Sequence, residues 1–253
     1  MSQDWDFFYR SVADTTVGGM RSAAVFTDLA LRERFPEPAR PFVARVAVSM
    51  HSPRPDGLGD EAEAEALYAI EDDLFRTLAR GARARYVGRV TSGGERVHFY
   101  YLPEQTGTAA LVDEVFTRHP GYSAATSIRH DPGWDLFREE LAPNAIEYQS
   151  VQTRRTIEQA RAAGEELTLP RPVHHWVDFP SSESRDQFLA QVRGQGFAID
   201  ELALEESHLA DLPYAAKLSR RDTLQLEFLD GLVTDLVIRA EESGGSYRGW
   251  ASE

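Results

Sequence analysis

Twice along this chain the hydrophobic spacing runs through one order: strand, helix, strand, strand, helix, strand. In the first pass, Phe42–Ser49 alternates, with Phe42, Ala44, Val46 and Val48 on one face, the spacing of a half-buried strand. Asp60 followed by Glu63 has the spacing of a helix capping box. Leu67, Ile70, Leu74, Phe75 and Leu78 then form an apolar helical stripe, which Gly81 closes. Arg85–Thr91 and Arg96–Leu102 flank Ser92-Gly93-Gly94-Glu95, the pattern of a hairpin. Leu111, Val112, Val115 and Phe116 predict a second helix that stops before Pro120, and Tyr122–Ile128 a further strand. Two more strands are expected upstream, at Trp5–Arg10 and Ala23–Leu31.

A weakly amphipathic helix over Glu147–Gly164 and the break Thr168-Leu169-Pro170-Arg171-Pro172 introduce the second pass. Val173–Phe179 alternates as a strand, and Ser181 or Ser182 caps a helix carrying Phe188, Leu189 and Val192. Phe197–Leu204 and Tyr214–Leu218 read as strands. Asp222, with Gln225 three residues on, is expected to cap a last helix. That helix carries Leu224, Phe228, Leu232 and Leu236, flanked by Leu229, Val233 and Val237. Gly244-Gly245 ends it, and Ser246–Trp250 is a final strand. The expected class is therefore α+β, with two ferredoxin-like α/β sandwich domains in tandem. The expected domains are residues 1–149 and 150–253, related by an internal duplication.

Charge narrows the partners. The chain carries 41 acidic and 27 basic residues, a net of −14, and the imbalance is shared by both halves. Nucleic-acid binding draws on clustered positive charge and an anionic membrane on the same, so neither is expected as a partner. The chain has no cysteine, which removes thiolate metal sites and cysteine nucleophiles. Met1-Ser2-Gln3-Asp4-Trp5-Asp6 has neither the basic region nor the apolar core of a signal peptide, so a cytoplasmic location is expected.

Motifs with chemical meaning are few. Gly57-Leu58-Gly59-Asp60-Glu61-Ala62 matches the dinucleotide pattern G-x-G-x-x-A. However, Asp60, Glu61, Glu63 and Glu65 crowd the helix start and would repel a diphosphate. The seven histidines show no pair at metal-binding helical spacing, and His174 with Asp178 supplies only half of a metal site. No metal and no cofactor is expected. Glu71-Asp72-Asp73 and Glu139-Glu140 read as solvated helix faces, since adjacent helical acids diverge. Val97-His98-Phe99-Tyr100-Tyr101, near Arg85, Arg89 and Arg96, has the composition of an RNA-stacking strand, against the net charge. No nucleophile elbow and no P-loop occurs.

Two stretches resemble known families. Thr153–Ala163, Val173-His174-His175-Trp176, Gly196-Phe197, the helix from Asp222, and Gly245-Ser246-Tyr247-Arg248-Gly249-Trp250 resemble the regulator of ribonuclease E activity B (RraB) family. Trp5-Asp6-Phe7-Phe8, Leu67-Tyr68-Ala69-Ile70-Glu71-Asp72, Tyr86-Val87-Gly88-Arg89 and Asp131-Pro132-Gly133-Trp134 resemble the domain-of-unknown-function family 695. The first resemblance implies a ferredoxin-like adaptor that is not an enzyme and damps a ribonuclease E-type partner. The second implies no chemistry. The leading expectation is a protein-binding regulator, with Tyr247, Trp250 and Trp176 as partner-binding candidates; Trp250 could instead staple the last strand to the core. The alternative is an enzyme or small-molecule binder using His130, Asp131, Trp134, His174 and Asp178 in a cleft between domains. Either sheet also offers an edge for a homodimer.

Overall fold

The alternation over Phe42–Ser49 becomes an inner strand, one in from the edge, of a six-stranded antiparallel sheet. The computed structural model describes residues 3–13, 18–200 and 206–253. They divide into two units, Met1–Pro143 and Asn144–Glu253, and each is treated by itself.

In the first unit the strands are β1 (Trp5–Ala13), β2 (Met20–Asp28), β3 (Phe42–Ser49), β4 (Arg85–Ser92), β5 (Glu95–Leu102) and β6 (Ala124–His130). They lie in the order β1-β2-β4-β5-β3-β6. Helices α1 (Glu61–Gly81) and α2 (Thr108–Arg118) are the crossovers, so β3 to β6 form a split β-α-β arrangement. Ala44, Val46 and Val48 meet Leu67, Ile70, Leu74, Leu78, Val112 and Val115 under the helices. Each fully buried valine, leucine or isoleucine among them contributes about 1.5–3 kcal/mol. Where the sheet bulges between Tyr86 and Gly88, a Cβ on Gly88 would come within 2.4 Å of the Phe26 carbonyl oxygen. Only glycine fits that approach.

Local signals were partly redirected. The second strand ends at Asp28 and not Leu31, because the Asp28 carboxylate accepts from the Ala30 amide and starts a short 3-10 turn over Leu29–Glu33. Asp60 caps α1 through the Ala62 amide. Its expected capping-box partner Glu63 turns instead to the preceding loop, accepting from the His51 and Ser52 amides at 2.8 and 2.9 Å. Phe75 leaves the core stripe and is 46% exposed. The helix face expected at Glu139-Glu140 belongs to a short helix, α3 (Asp135–Glu140), which follows β6.

The second unit begins with α4 (Ala145–Ala162), where Asn144 and Glu147 complete a reciprocal capping box. The cap places the unit's start ahead of Ser150. Strands β7 (Arg171–Phe179), β8 (Ala198–Ile199), β9 (Glu206–Leu209), β10 (Leu212–Asp222) and β11 (Ser246–Ser252) form an antiparallel sheet with α5 (Ser182–Val192) and α6 (Leu226–Glu242). The main path is β11-β7-β10-β8, with β9 on β10. Counted from β7, this is the order that the first unit shows from β3. Val173, Val177 and Phe179 pack with Ile157, Phe188, Leu229, Val233 and Val237, so α4, α5 and α6 share one face. Of the strand expected over 197–204, residues 198–199 pair with β10, and 201–204 lie outside the described residues. Asp222 does not cap α6: it ends β10, and Arg220 Nε donates to its carboxylate. The buried α6 stripe is Leu229, Val233, Leu236, Val237 and Ala240, while Phe228 is 47% exposed. Gly245 lets β11 start against β7, since a Cβ there would meet the Phe179 ring at 2.5 Å.

Candidate functional site

Strand parity in β7 divides the candidate residues of the second unit. Val173, His175, Val177 and Phe179 point into the helix-covered core, so His174, Trp176 and Asp178 share the helix-free face. Trp176 is half-buried. It lies opposite Lys217 of β10 and Gly249 of β11, and the Lys217 ammonium is 6.0 Å from its ring centre. His174 is 6.2 Å from the Trp176 ring, and its Nε2 meets the Glu253 carboxylate at 3.0 Å. The Asp178 carboxylate is buried and accepts from Arg248 Nε at 2.8 Å and from Arg248 Nη2. This pairing raises the Arg248 pKa, first through that hydrogen bond. The face therefore centres on one indole ring ringed by Lys217, His174 and an Arg248–Asp178 pair. Lys217 and Arg248 were invisible to sequence reasoning, because neither register nor bulge position can be read from one strand.

The other two aromatic candidates point the opposite way. Tyr247 is 6% exposed, and its hydroxyl lies 2.7 Å from His175 Nδ1. Burial raises the Tyr247 pKa and lowers that of His175 to about 3, with Arg220 and His174 adding to the latter. The imidazole is therefore neutral at physiological pH. Trp250 Nε1 donates to Thr153 Oγ1 at 3.0 Å, and its ring packs on the core. Both residues tie β11 to the helix layer, which leaves Trp176 as the aromatic on the helix-free face.

In the first unit, His130, Asp131 and Trp134 build a corner. Asp131 is buried and accepts from the Tyr101 hydroxyl at 2.7 Å and from the Asp135 and Leu136 amides. Burial alone would raise its pKa, but these bonds hold it below the usual carboxylate value. Trp134 is fully buried, with positive φ, stacked on Tyr101 at 3.8 Å and donating to the Arg40 carbonyl at 3.0 Å. His130 is exposed, its ring 5.1 Å from that of Phe42. The carboxylates proposed for a cleft, Asp131 and Asp178, are thus each engaged inside their own unit.

The aromatic strand near Phe99 is also internal. His98, Phe99, Tyr100 and Tyr101 are all at most 1% exposed, so none offers a face for base stacking. Arg85 pairs with Glu37, and Arg89 with Glu71 at 2.6 Å. Among the described residues, no group of three or more His, Asp or Glu side chains could hold a metal ion. No helix there is long and apolar enough to cross a membrane.

Comparison with known proteins divides the chain where the fold does. Residues 3–142 match the family model described as Family of unknown function (DUF695). Residues 150–252 match the model described as Regulator of ribonuclease activity B. No curated protein matches the sequence. Among solved structures, an unknown protein from Galdieria sulphuraria is 14% identical, with a TM-score of 0.21, over 85% of this chain and 98% of that one. A putative glycine cleavage system transcriptional repressor is 9% identical, with a TM-score of 0.22, over 84% of this chain and 98% of that one. Likenesses this faint carry no argument about fold or function.

Proposed function

The chain belongs to the family of unknown function DUF695, and from that premise, joined to the regulator-type match over its second unit, we propose a regulatory protein that binds a ribonuclease and catalyses no reaction itself. The observation that carries this reading is the extent of the second match. Residues 150–252 take in every strand of the second sheet, helices α5 and α6, and most of α4. The resemblance thus concerns a whole folded unit and not a short motif.

The docking face in this reading is the helix-free side of β7, β10 and β11, with Trp176 as its anchor. A large ring flanked by charged groups is the composition from which interface hot spots are built. The rim is of mixed charge, with Lys217 3.5 Å from Asp200 and Arg248 on Asp178, which suits a partner rim carrying both signs. The partner class is a ribonuclease E-type endoribonuclease, and the action is cytoplasmic.

The test is a cleavage assay with the purified endoribonuclease of that type from the same host. Titrating the full chain should lower the initial rate of RNA cleavage. Trp176→Ala should weaken the effect by about tenfold or more, the size of a hot-spot truncation. Trp250→Ala should instead act through stability. A cleavage rate that stays constant at saturating full chain removes the proposal.

A further inference from the structure

In the first unit the buried Arg96 guanidinium has no ion-pair partner among the described residues. Arg96 is 7% exposed. Its Nε and Nη1 are buried with no acceptor, and its guanidinium carbon lies 5.1 Å from the centre of the Tyr68 ring. Arg89 beside it is satisfied, its Nη1 donating to both Glu71 oxygens at 2.6 and 2.8 Å. The Tyr86 hydroxyl takes the same carboxylate at 2.7 Å. Burial, and then the charge of Arg89, press the Arg96 pKa down, and Glu71 only partly offsets them. A buried charge without a partner is costly, and such a group marks a place where a partner is supplied from outside.

Arg96 lines a cavity of about 360 Å³ beside α1, together with Arg54 and Arg89. That size falls in the range of about 300–1,000 Å³ typical of small-molecule sites. Arg54 is paired with Asp56 at 2.7 Å. Three guanidinium groups thus share two carboxylates, leaving a positive site on a chain of net charge −14. Around the rim, Phe7, Tyr9 and Tyr68 are exposed residues, 40%, 61% and 51% accessible. Phe26 completes the wall, with the Arg89 guanidinium 4.4 Å from its ring centre. Leu58 and Gly59 of the glycine motif line the same cavity. With the Asp60 side chain capping α1, the motif serves as a wall here, and the charge comes from arginine.

We propose that this cavity binds a small organic anion that carries an aromatic ring, its phosphate or carboxylate set against Arg96 and its ring against Tyr68 and Tyr9. Guanidinium groups recognise both kinds of oxyanion through charge-assisted hydrogen bonds. Exposed aromatic rings hold planar groups by stacking. Neither half of such a ligand suffices alone, so a bare anion and a bare ring should both bind weakly.

The test is calorimetric titration of the full chain at low salt with phenyl phosphate, benzoate, inorganic phosphate and phenol. At least one of the two ring-bearing anions should bind about tenfold or more tighter than inorganic phosphate and phenol, a difference of about 1.4 kcal/mol. Whichever of phenyl phosphate and benzoate binds better identifies the anionic group. Arg96→Met keeps the apolar stem and removes the charge; it should lose about tenfold or more in affinity. Its ligand-free melting temperature should stay level or rise, because an unpaired buried charge has gone. Tyr68→Ala, at an exposed position, should weaken phenyl phosphate and leave inorganic phosphate unchanged. The proposal is overturned if neither ring anion binds, or if a folded Arg96→Met binds as the parent does. Should that variant fail to fold, unchanged ring-anion affinity in Tyr68→Ala overturns it.

Discussion

In the first unit the four-strand core is extended sideways: β1 and β2 prolong the sheet beyond β4. In the second, the corresponding core is thickened, with α4 joining α5 and α6 over one sheet face. The strand order of the cores is the same, yet these additions give them different surfaces. Widening the sheet of the first unit creates the aromatic and arginine-lined cavity beside α1. Its face away from α1 and α2 is closed by α3 through the Trp134–Tyr101–Phe137 cluster. Thickening the second unit fixes Tyr247 and Trp250 under the helices and leaves Trp176 on the other face. One topology therefore presents two kinds of surface, and what is appended to the core decides which.

The largest expected effect separates the units by stability. Trp134→Ala empties a fully buried, stacked position and should destabilise the first unit by about 3–5 kcal/mol. In denaturant melts followed unit by unit, the second unit's midpoint should stay in place. A common shift of both would show that the two fold as one cooperative body.

Acid should weaken both units, through different histidines. An unfolded histidine titrates near 6.5, whereas burial holds His175 neutral down to about 3, and His98 is likewise driven well down by burial and by Arg89 and Arg96. Between those values the unfolded state binds a proton that the folded state refuses. Stability is thus complete above about pH 6.5 and falls on acidification, by up to about 1.4 kcal/mol per pH unit for each histidine. His98→Leu should flatten this slope for the first unit and His175→Leu for the second. A slope unchanged by both would assign the acid sensitivity to other groups.

Two smaller effects sharpen the second unit's side of the comparison. Arg248→Ala leaves the buried Asp178 without its cation and should cost about 1–3 kcal/mol, nearer the lower end because Arg248 is 44% exposed and water can enter. Asn144→Ala removes the α4 capping box and should cost about 1 kcal/mol. That loss should appear in the second unit's transition alone, which tests where the unit begins.

Much of the fold was legible because it rests on local periodicity. Leu67, Ile70, Leu74 and Leu78 announced α1, and the alternation in Phe42–Ser49 announced β3. Caps were less legible, since a carboxylate takes the nearest available donor wherever the fold supplies it. Asp222 went to Arg220 and Glu63 to the His51 loop, although both stood at helix-capping spacings. The candidate sites were least legible. Asp131 and Trp134 read as members of a cleft site, whereas the Asp131 carboxylate accepts from the first α3 amides and Trp134 is a core ring. Arg89 and Arg96 were noted only as neighbours of an aromatic strand, and nothing local shows that one has a carboxylate and the other has none.

From its residues alone, this chain determined its element order, its α+β class and its resemblance to two families, because periodicity and motifs are properties of neighbours in sequence. Only the tertiary structure decided which side of each sheet a ring occupies, which charges are paired, and where a cavity remains. Those depend on strand register and on contacts between residues far apart in the chain. His175 and Tyr247 stand 72 positions apart and Arg89 and Glu71 stand 18 apart, and no local pattern encodes such meetings.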